Sequence, residues 1–318
     1  MKKTIGLVAL VLSILIIFSG CKDGSSKGPE DDDVLRVVTT IFPQYDFVRQ
    51  IAGDRCEIEM LLPNGAESHF FEPTTSDLAV AGNSDLFIYV GGNFDIWAEK
   101  VIKTCKISRT IALLDITDVV AVENVEGIEP HQHSQESENY FNVEYDEHVW
   151  TSPQNAIKIS KKICETLCEI APEYSGEFTQ NCTNFVAQLQ ELDADFTELV
   201  QNAPKDVIVC ADRFPFRYFT DRYNLKYYAA FNGCSTDNEV SLSTLNALVN
   251  KVNENKIDTV FHIEFSSGTV ADSVCEQTGA EKKLLHSCHN VTEQEFNSGV
   301  TYIDLMRKNY DNLKEALY

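Results

Sequence analysis

Residues 172–202 read PEYSGEFTQNCTNFVAQLQELDADFTELVQN. Within them Phe178, Cys182, Phe185, Leu189, Leu192, Phe196 and Leu199 recur at spacings of 4, 3, 4, 3, 4 and 3, the rhythm of one apolar stripe on an α-helix. Pro172 suits a first helical turn, where its missing N–H is no loss, and no proline follows it in the stretch. The spacing predicts a single amphipathic helix of about 30 residues, roughly 45 Å long at 1.5 Å per residue. Heptad spacing also suits a coiled coil, but the stretch stands alone inside a chain whose flanks alternate strands and helices. It therefore reads as a strut laid along two lobes.

Before the strut, residues 35–40, 56–62, 85–90 and 110–114 read as strands, with helices expected over 45–52, 75–83 and 94–104. After it the alternation returns, with strands expected at 206–210, 226–231, 259–263 and 283–285 and helices at 216–223, 241–255, 269–277 and 302–316. Strands separated by short helices imply mostly parallel sheets covered on both faces. The fold class is thus α/β: two α/β lobes with mostly parallel sheets joined by one long rigid helix. The expected divisions are 34–150 for the first lobe, 151–203 for the connecting helices and 204–318 for the second. One rigid helix between lobes predicts little hinge closure on binding.

The N-terminus reads as an address. Lys2 and Lys3 precede an apolar run over 5–18, the length of a signal-peptide core and short for a bilayer span. Phe18-Ser19-Gly20-Cys21 follows and resembles a lipoprotein processing site, which implies a leader over 1–20 and lipid on Cys21. Residues 21–33 (CKDGSSKGPEDDD) suit a flexible tether. The expected location is the extracytoplasmic face of a cell membrane, lipid-anchored.

Charge narrows the partners. The chain carries 26 Lys+Arg against 49 Asp+Glu, a formal net charge of −23. Such a surface repels nucleic acid and anionic headgroups and raises the local concentration of cations. Ten cysteines are present and no CxxC motif occurs, so neither a zinc ribbon nor a thioredoxin-like site is available. With Cys21 lipidated, an odd number remains, and at least one must be free, bound or paired between chains. Cys210, at the end of Val207-Ile208-Val209, reads as a small buried hydrophobe.

Three of the seven histidines lie at strand ends or helix entrances, where α/β lobes build sites. His69 precedes a helix with Thr75 or Ser76 as expected cap, His148 stands before Ser152-Pro153, and His286 follows a strand directly. His148, in Asp146-Glu147-His148-Val149-Trp150, lies beside two acids that would be expensive to bury without a positive partner. Imidazoles with one or two carboxylates suit zinc, and less comfortably manganese. His131-Gln132-His133 reads either as a weak metal-collecting tract or as a solvated loop.

The segments VVTTIFPQYDFVRQIAG (37–53), MLLPNGAESHFFEPTTSDL (60–78), DEHVWTSPQNA (146–156), DRFPFRYFTDRYNL (212–225) and GVTYIDLMRKNYDNLKEAL (299–317) together resemble the metal-binding lipoproteins of zinc and manganese ABC importers. The resemblance runs from Val34 to the C-terminus and implies a metal cleft between the lobes. It carries His69 and His148 over as ligands. Its third ligand, a His or Glu, falls on Arg213, a departure that leaves Asp212, one residue earlier, as the replacement. Its fourth, an acid, falls on His286, with Cys288 and His289 close enough to substitute. Glu264 is a further candidate, as a ligand or as the acceptor that orients a histidine. The implied function is capture of a divalent metal, Zn2+ ahead of Mn2+, by a monomer that delivers it to an ABC permease without chemistry. The rival readings are a zinc-dependent hydrolase, against which stands the lack of HExxH and GxSxG, and a surface adhesin. An adhesin would need an exposed apolar patch, and Phe214–Tyr218 is expected to be buried instead.

Overall fold

The computed structural model describes residues 34–68, 71–122, 145–233 and 240–318. The leader and tether, Cys21, His69, the His131–His133 tract and Cys234 lie outside the described residues. None of the described helices is long and apolar enough to cross a membrane.

Two four-stranded sheets carry the chain. In the first, β1 (Leu35–Thr39), β2 (Cys56–Met60), β3 (Leu86–Tyr89) and β4 (Thr110–Ala112) lie in the order β2-β1-β3-β4. In the second, β5 (Val207–Phe214), β6 (Lys226–Asn232), β7 (Thr259–His262) and β8 (Glu281–Leu284) lie in the order β6-β5-β7-β8. All the strand pairings in these sheets are parallel, so the second half repeats the winding of the first. Helices α1 (Phe42–Ala52), α2 (Thr75–Gly82) and α3 (Trp97–Cys105) belong to the first half. Helices α6 (Arg217–Tyr223), α7 (Leu242–Glu254), α8 (Thr269–Thr278), α9 (Glu293–Asn297) and α10 (Tyr302–Leu317) belong to the second.

Between them lie α4 (Pro153–Ile170) and α5 (Ser175–Asn202). Helix α5 is the strut, about 42 Å long at 1.5 Å per residue over its 28 residues. It starts three residues later than its proline suggests, because Pro172–Tyr174 forms a 3-10 turn of its own. All seven stripe residues are buried. They join a central apolar cluster that takes in Val37, Leu86 and Ile88 from one sheet and Ile208, Cys210 and Phe261 from the other. Strand alternation supplies the outer layers: Val38 packs with Leu61, Phe87 and Ala98, and Val207 and Val209 pack with Leu248, Val252 and Val274. Phe214, Phe216 and Tyr218 are buried, as expected. The cap of α2 is Thr74, one residue before the expected position, because Asp77 and Thr74 close a reciprocal capping box.

A second connection ties the halves together. The segment after β8 sends the His289 carbonyl to the Phe42 N–H at 3.1 Å and the Val291 carbonyl to the Gly65 N–H at 2.8 Å. Asn290, wholly buried, donates to the Pro63 and Ala66 carbonyls at 2.8 Å each. Trp150 Nε1 donates to the Ser287 carbonyl at 2.8 Å. Strut and loop therefore hold the lobes at two separate places. The eight described cysteines are all free thiols, so these contacts and the core carry the fold without a crosslink among the described residues.

Candidate metal centre

The carboxyl ends of both sheets bring the candidate side chains forward. In β5, pairing with β6 runs in step to Cys210↔Ala229 and resumes at Arg213↔Phe231. The extra residue is a bulge at Ala211-Asp212, a device that re-aims side chains at a strand end. Asp212 turns toward the loop after β7, where it accepts from Ser266 Oγ, and its Oδ1 takes the Arg213 N–H at 2.8 Å. Arg213 reaches across to the first lobe, its guanidinium 2.7 Å from Glu67 Oε2. A cleft of about 380 Å3, lined among others by Glu67, Asp212, Arg213, Phe265 and Ser266, opens beside this pair.

The His148 stretch is not solvated. Asp146, Glu147 and His148 are 4%, 4% and 3% exposed, so each acid must find a donor. Asp146 Oδ1 takes both the His148 backbone N–H at 2.9 Å and, at 3.1 Å, ring Nδ1. A carboxylate there assigns the proton to Nδ1 and makes Nε2 the basic nitrogen of the ring. Glu147 accepts from the Asn93 N–H, and burial pushes its carboxyl up. Two glycines make this packing possible. A Cβ on Gly92, whose φ is +67°, would collide with Glu147 Oε1. A Cβ on Gly233 would lie 2.9 Å from the Phe214 carbonyl and 3.3 Å from His148 Cε1, so only glycine lets the end of β6 pass this close to the first-lobe histidine.

In the second lobe Glu264 organises the histidines. Its Oε2 takes the Ser287 N–H at 2.8 Å and its Oε1 the Ser287 hydroxyl at 2.5 Å. Burial alone would raise its carboxyl, but the imidazoles of His286 and His289 and the bonds from His289 and Ser287 hold it well below the usual carboxylate range. His289 Nδ1 lies 2.9 Å from Glu264 Oε1 and 2.6 Å from Ser287 Oγ. Its Nε2 is buried with no hydrogen-bond partner among the described residues, 3.8 Å from Glu67 Oε1. An orphaned buried imidazole nitrogen opposite a carboxylate is what a divalent cation would satisfy.

His286 is held differently. Its Nδ1 accepts the Cys288 N–H at 2.9 Å, and its backbone N–H and carbonyl bond to Asn309 at 2.7 and 2.8 Å. Burial pushes its imidazole down, against the pull of Glu264. Cys288 between them is wholly buried and its thiol is driven well up by that burial, which leaves it a poor source of thiolate. Among the described residues no three His, Cys, Asp or Glu side chains converge into a ready cation shell, and His69 lies outside them. The structure thus gathers Glu264, His286 and His289 in one buried cluster, with Glu264 Oε1 2.9 Å from His289 Nδ1 and 3.5 Å from His286 Nδ1, and sets Asp212 beside Ser266. It adds two residues that sequence reasoning had not paired, Glu67 and Arg213.

Two parallel-sheet lobes fixed to one long helix, with imidazoles and carboxylates at their facing strand ends, define the class of two-lobed metal-binding proteins built on a rigid strut. The chain belongs to the family described as zinc-uptake complex component A, periplasmic (ZnuA), whose model matches residues 37–316. It is 29% identical to the high-affinity zinc uptake system protein ZnuA of Bacillus subtilis (strain 168), over 99% of this chain and 98% of that one. It is 30% identical to the zinc-binding lipoprotein AdcA of Streptococcus pneumoniae (strain ATCC BAA-255 / R6), over 99% of this chain but only 61% of AdcA's length. The crystal structure of the Zn(II)-bound ZnuA-like domain of S. pneumoniae AdcA superposes with a TM-score of 0.71 at 29% identity, covering 89% of this chain and 98% of that domain.

Proposed function

We propose that this chain is an extracytoplasmic substrate-binding lipoprotein, held to the membrane by lipid on Cys21, that captures zinc in the cleft between its lobes and passes it to an ABC-type importer. It acts by capture and release rather than by catalysis. His69 and His148 are the proposed first-lobe ligands, and the second lobe contributes from the Glu264–His286–His289 cluster. The observation that carries the reading is His289, whose Nδ1 is tied down by Ser287 and Glu264 while its buried Nε2 faces Glu67 without a partner. That arrangement is the usual support of a metal-bound imidazole, and it favours His289 over His286, whose Nδ1 is occupied by a backbone N–H. Asp212, engaged by Ser266, shapes the cleft floor in this reading. Imidazole donors favour zinc over manganese.

The test is calorimetric titration of the soluble chain from Lys22 onward with zinc and with manganese, in wild type, His289→Ala and His286→Ala. Structural zinc sites supply about 10–16 kcal/mol over four ligands, so one ligand is worth roughly 3 kcal/mol, or about a hundredfold in Kd. The expected result is one tight zinc site, weak manganese binding, a hundredfold loss in His289→Ala and less than tenfold in His286→Ala. A chain that binds neither ion would overturn the proposal.

A further inference from the structure

Arg213 is an odd neighbour for a cation site. Its side chain is 11% exposed and that of Glu67 20%, so their 2.7 Å contact is a largely dry ion pair across the two lobes. Oxygen Oε2 of Glu67 faces Arg213, while Oε1 faces His289 Nε2 at 3.8 Å. That gap is too long for a hydrogen bond. It is close to the roughly 3.4 Å edge separating two donors of a tetrahedral zinc whose bonds are about 2.0–2.1 Å. One carboxylate is thus poised between a resident cation and a nitrogen lone pair that has none.

We propose that Glu67 is itself a zinc ligand and that Arg213 is a tethered competitor for it. Zinc binding exchanges the guanidinium for the metal. The inference rests on the zinc-capture reading above. Four features of the chain fit it. The bulge at Ala211-Asp212 is what aims Arg213 across the divide rather than along the sheet. Among the described residues Glu67 is the only acceptor of the guanidinium, so one broken ion pair frees it. The 380 Å3 cleft that Arg213 lines with Phe265, Ser266 and Thr269 gives the displaced side chain room to turn. Phe265 and Cys288, with φ of +58° and +65°, hold the two loops around this spot in the left-handed conformation that side-chain-bearing residues enter only under constraint, as they do at binding sites.

The exchange has a consequence for selectivity. Displacing Arg213 weakens every divalent cation by the same factor, so the ratio of zinc to manganese affinity is unchanged. The weaker binder, manganese on imidazole donors, falls below useful affinity first. Arg213 thereby sets a threshold instead of a preference.

The test measures zinc affinity by competition with a chromophoric chelator in wild type, Arg213→Met, Arg213→Gln, Glu67→Gln and Glu67→Gln/Arg213→Met, with far-UV circular dichroism melts for fold. Both Arg213 variants are expected to bind zinc at least tenfold tighter than wild type. Glu67→Gln should weaken binding, and by a larger factor in the Arg213→Met background, where Arg213 no longer competes for the carboxylate. X-ray absorption at the zinc edge should lose one oxygen neighbour in Glu67→Gln. Wild type that binds zinc while both folded Arg213 variants bind no tighter would overturn the exchange and leave zinc capture standing. Zinc binding absent from wild type and from both Arg213 variants would overturn capture itself. Zinc bound only after Arg213 is removed would support the competitor in its strongest form. An unchanged zinc-edge spectrum in Glu67→Gln would remove Glu67 from the ligand set.

Discussion

Asn290 is the residue on which the meeting of the lobes most depends. Its amide donates to two first-lobe carbonyls, Pro63 and Ala66, at 2.8 Å each, and its Oδ1 takes the Val291 N–H at 2.8 Å. Asn290→Ala removes three bonds worth about 1 kcal/mol each and leaves two carbonyls and an N–H in a place with little water, each orphan costing about 1–3 kcal/mol before relaxation. Part of that is recovered by water entering the space left, so the expected loss is about 3–4 kcal/mol. Urea denaturation of the zinc-free chain should show it as a lower midpoint at unchanged slope. The turn ending at Ala66 leads directly into Glu67, so zinc affinity should fall about tenfold in the same variant. Asn290→Asp separates donor chemistry from shape. At pH 7 its carboxylate would face two carbonyl oxygens and should be more damaging than alanine, with partial recovery in acid when the carboxyl can donate. A loss below 1 kcal/mol in Asn290→Ala, or an Asp variant as stable as the Ala variant at pH 7, would refute the reasoning.

Asp193 of α5 receives Arg222 at 2.9 and 2.6 Å, Gln154 at 2.6 Å and the Tyr223 hydroxyl at 3.0 Å; Asp193→Ala should cost about 2–4 kcal/mol in denaturant, part of it recovered when Arg222→Met is added. Asp146→Asn, which leaves His148 without a carboxylate on Nδ1, is expected to lower zinc affinity about 10–100-fold in calorimetry with little change in thermal midpoint. Burial raises the Asp95 carboxyl from 3.8 to about 6. Between those values the folded chain holds a proton that the unfolded chain has released, so stability relative to Asp95→Asn should rise as pH falls from 7.5 to 4. The change is up to about 3 kcal/mol at roughly 1.4 kcal/mol per pH unit, and a flat difference across that range would contradict it.

The lobes and strut were legible because they rest on local periodicity. The 4-3 stripe of α5 survives as seven buried side chains, and each expected strand appears, shifted by a residue or a few at its ends. The strand expected at 206–210 runs on to Phe214 because the bulge lets pairing resume past Cys210, and no one-dimensional pattern announces a bulge. The candidate site was legible only in part. His148 could be singled out from its helix entrance and acidic neighbours. The proposed preference for His289 over His286 could not be read there, because both lie past the end of β8 at Leu284 and Cys288 at φ +65° turns the chain between them. The pairing of Glu67 with Arg213 spans 146 positions and has no local signature, although an acid two residues before His69 in a glycine turn was a visible hint.

The contacts that build this site are divided between chain segments made far apart in time. Glu67 comes from the first lobe, and Arg213, Glu264 and His289 from the second. Neither lobe alone contains the arrangement, and the loop that carries His289 is itself moored on Phe42 and Gly65. A chain still threading through an export channel, or one clipped between its halves, therefore lacks the pairing of Glu67 with Arg213 and His289. That arrangement is completed only when the lobes dock, so any ion that binds only the finished form draws the folding equilibrium toward it.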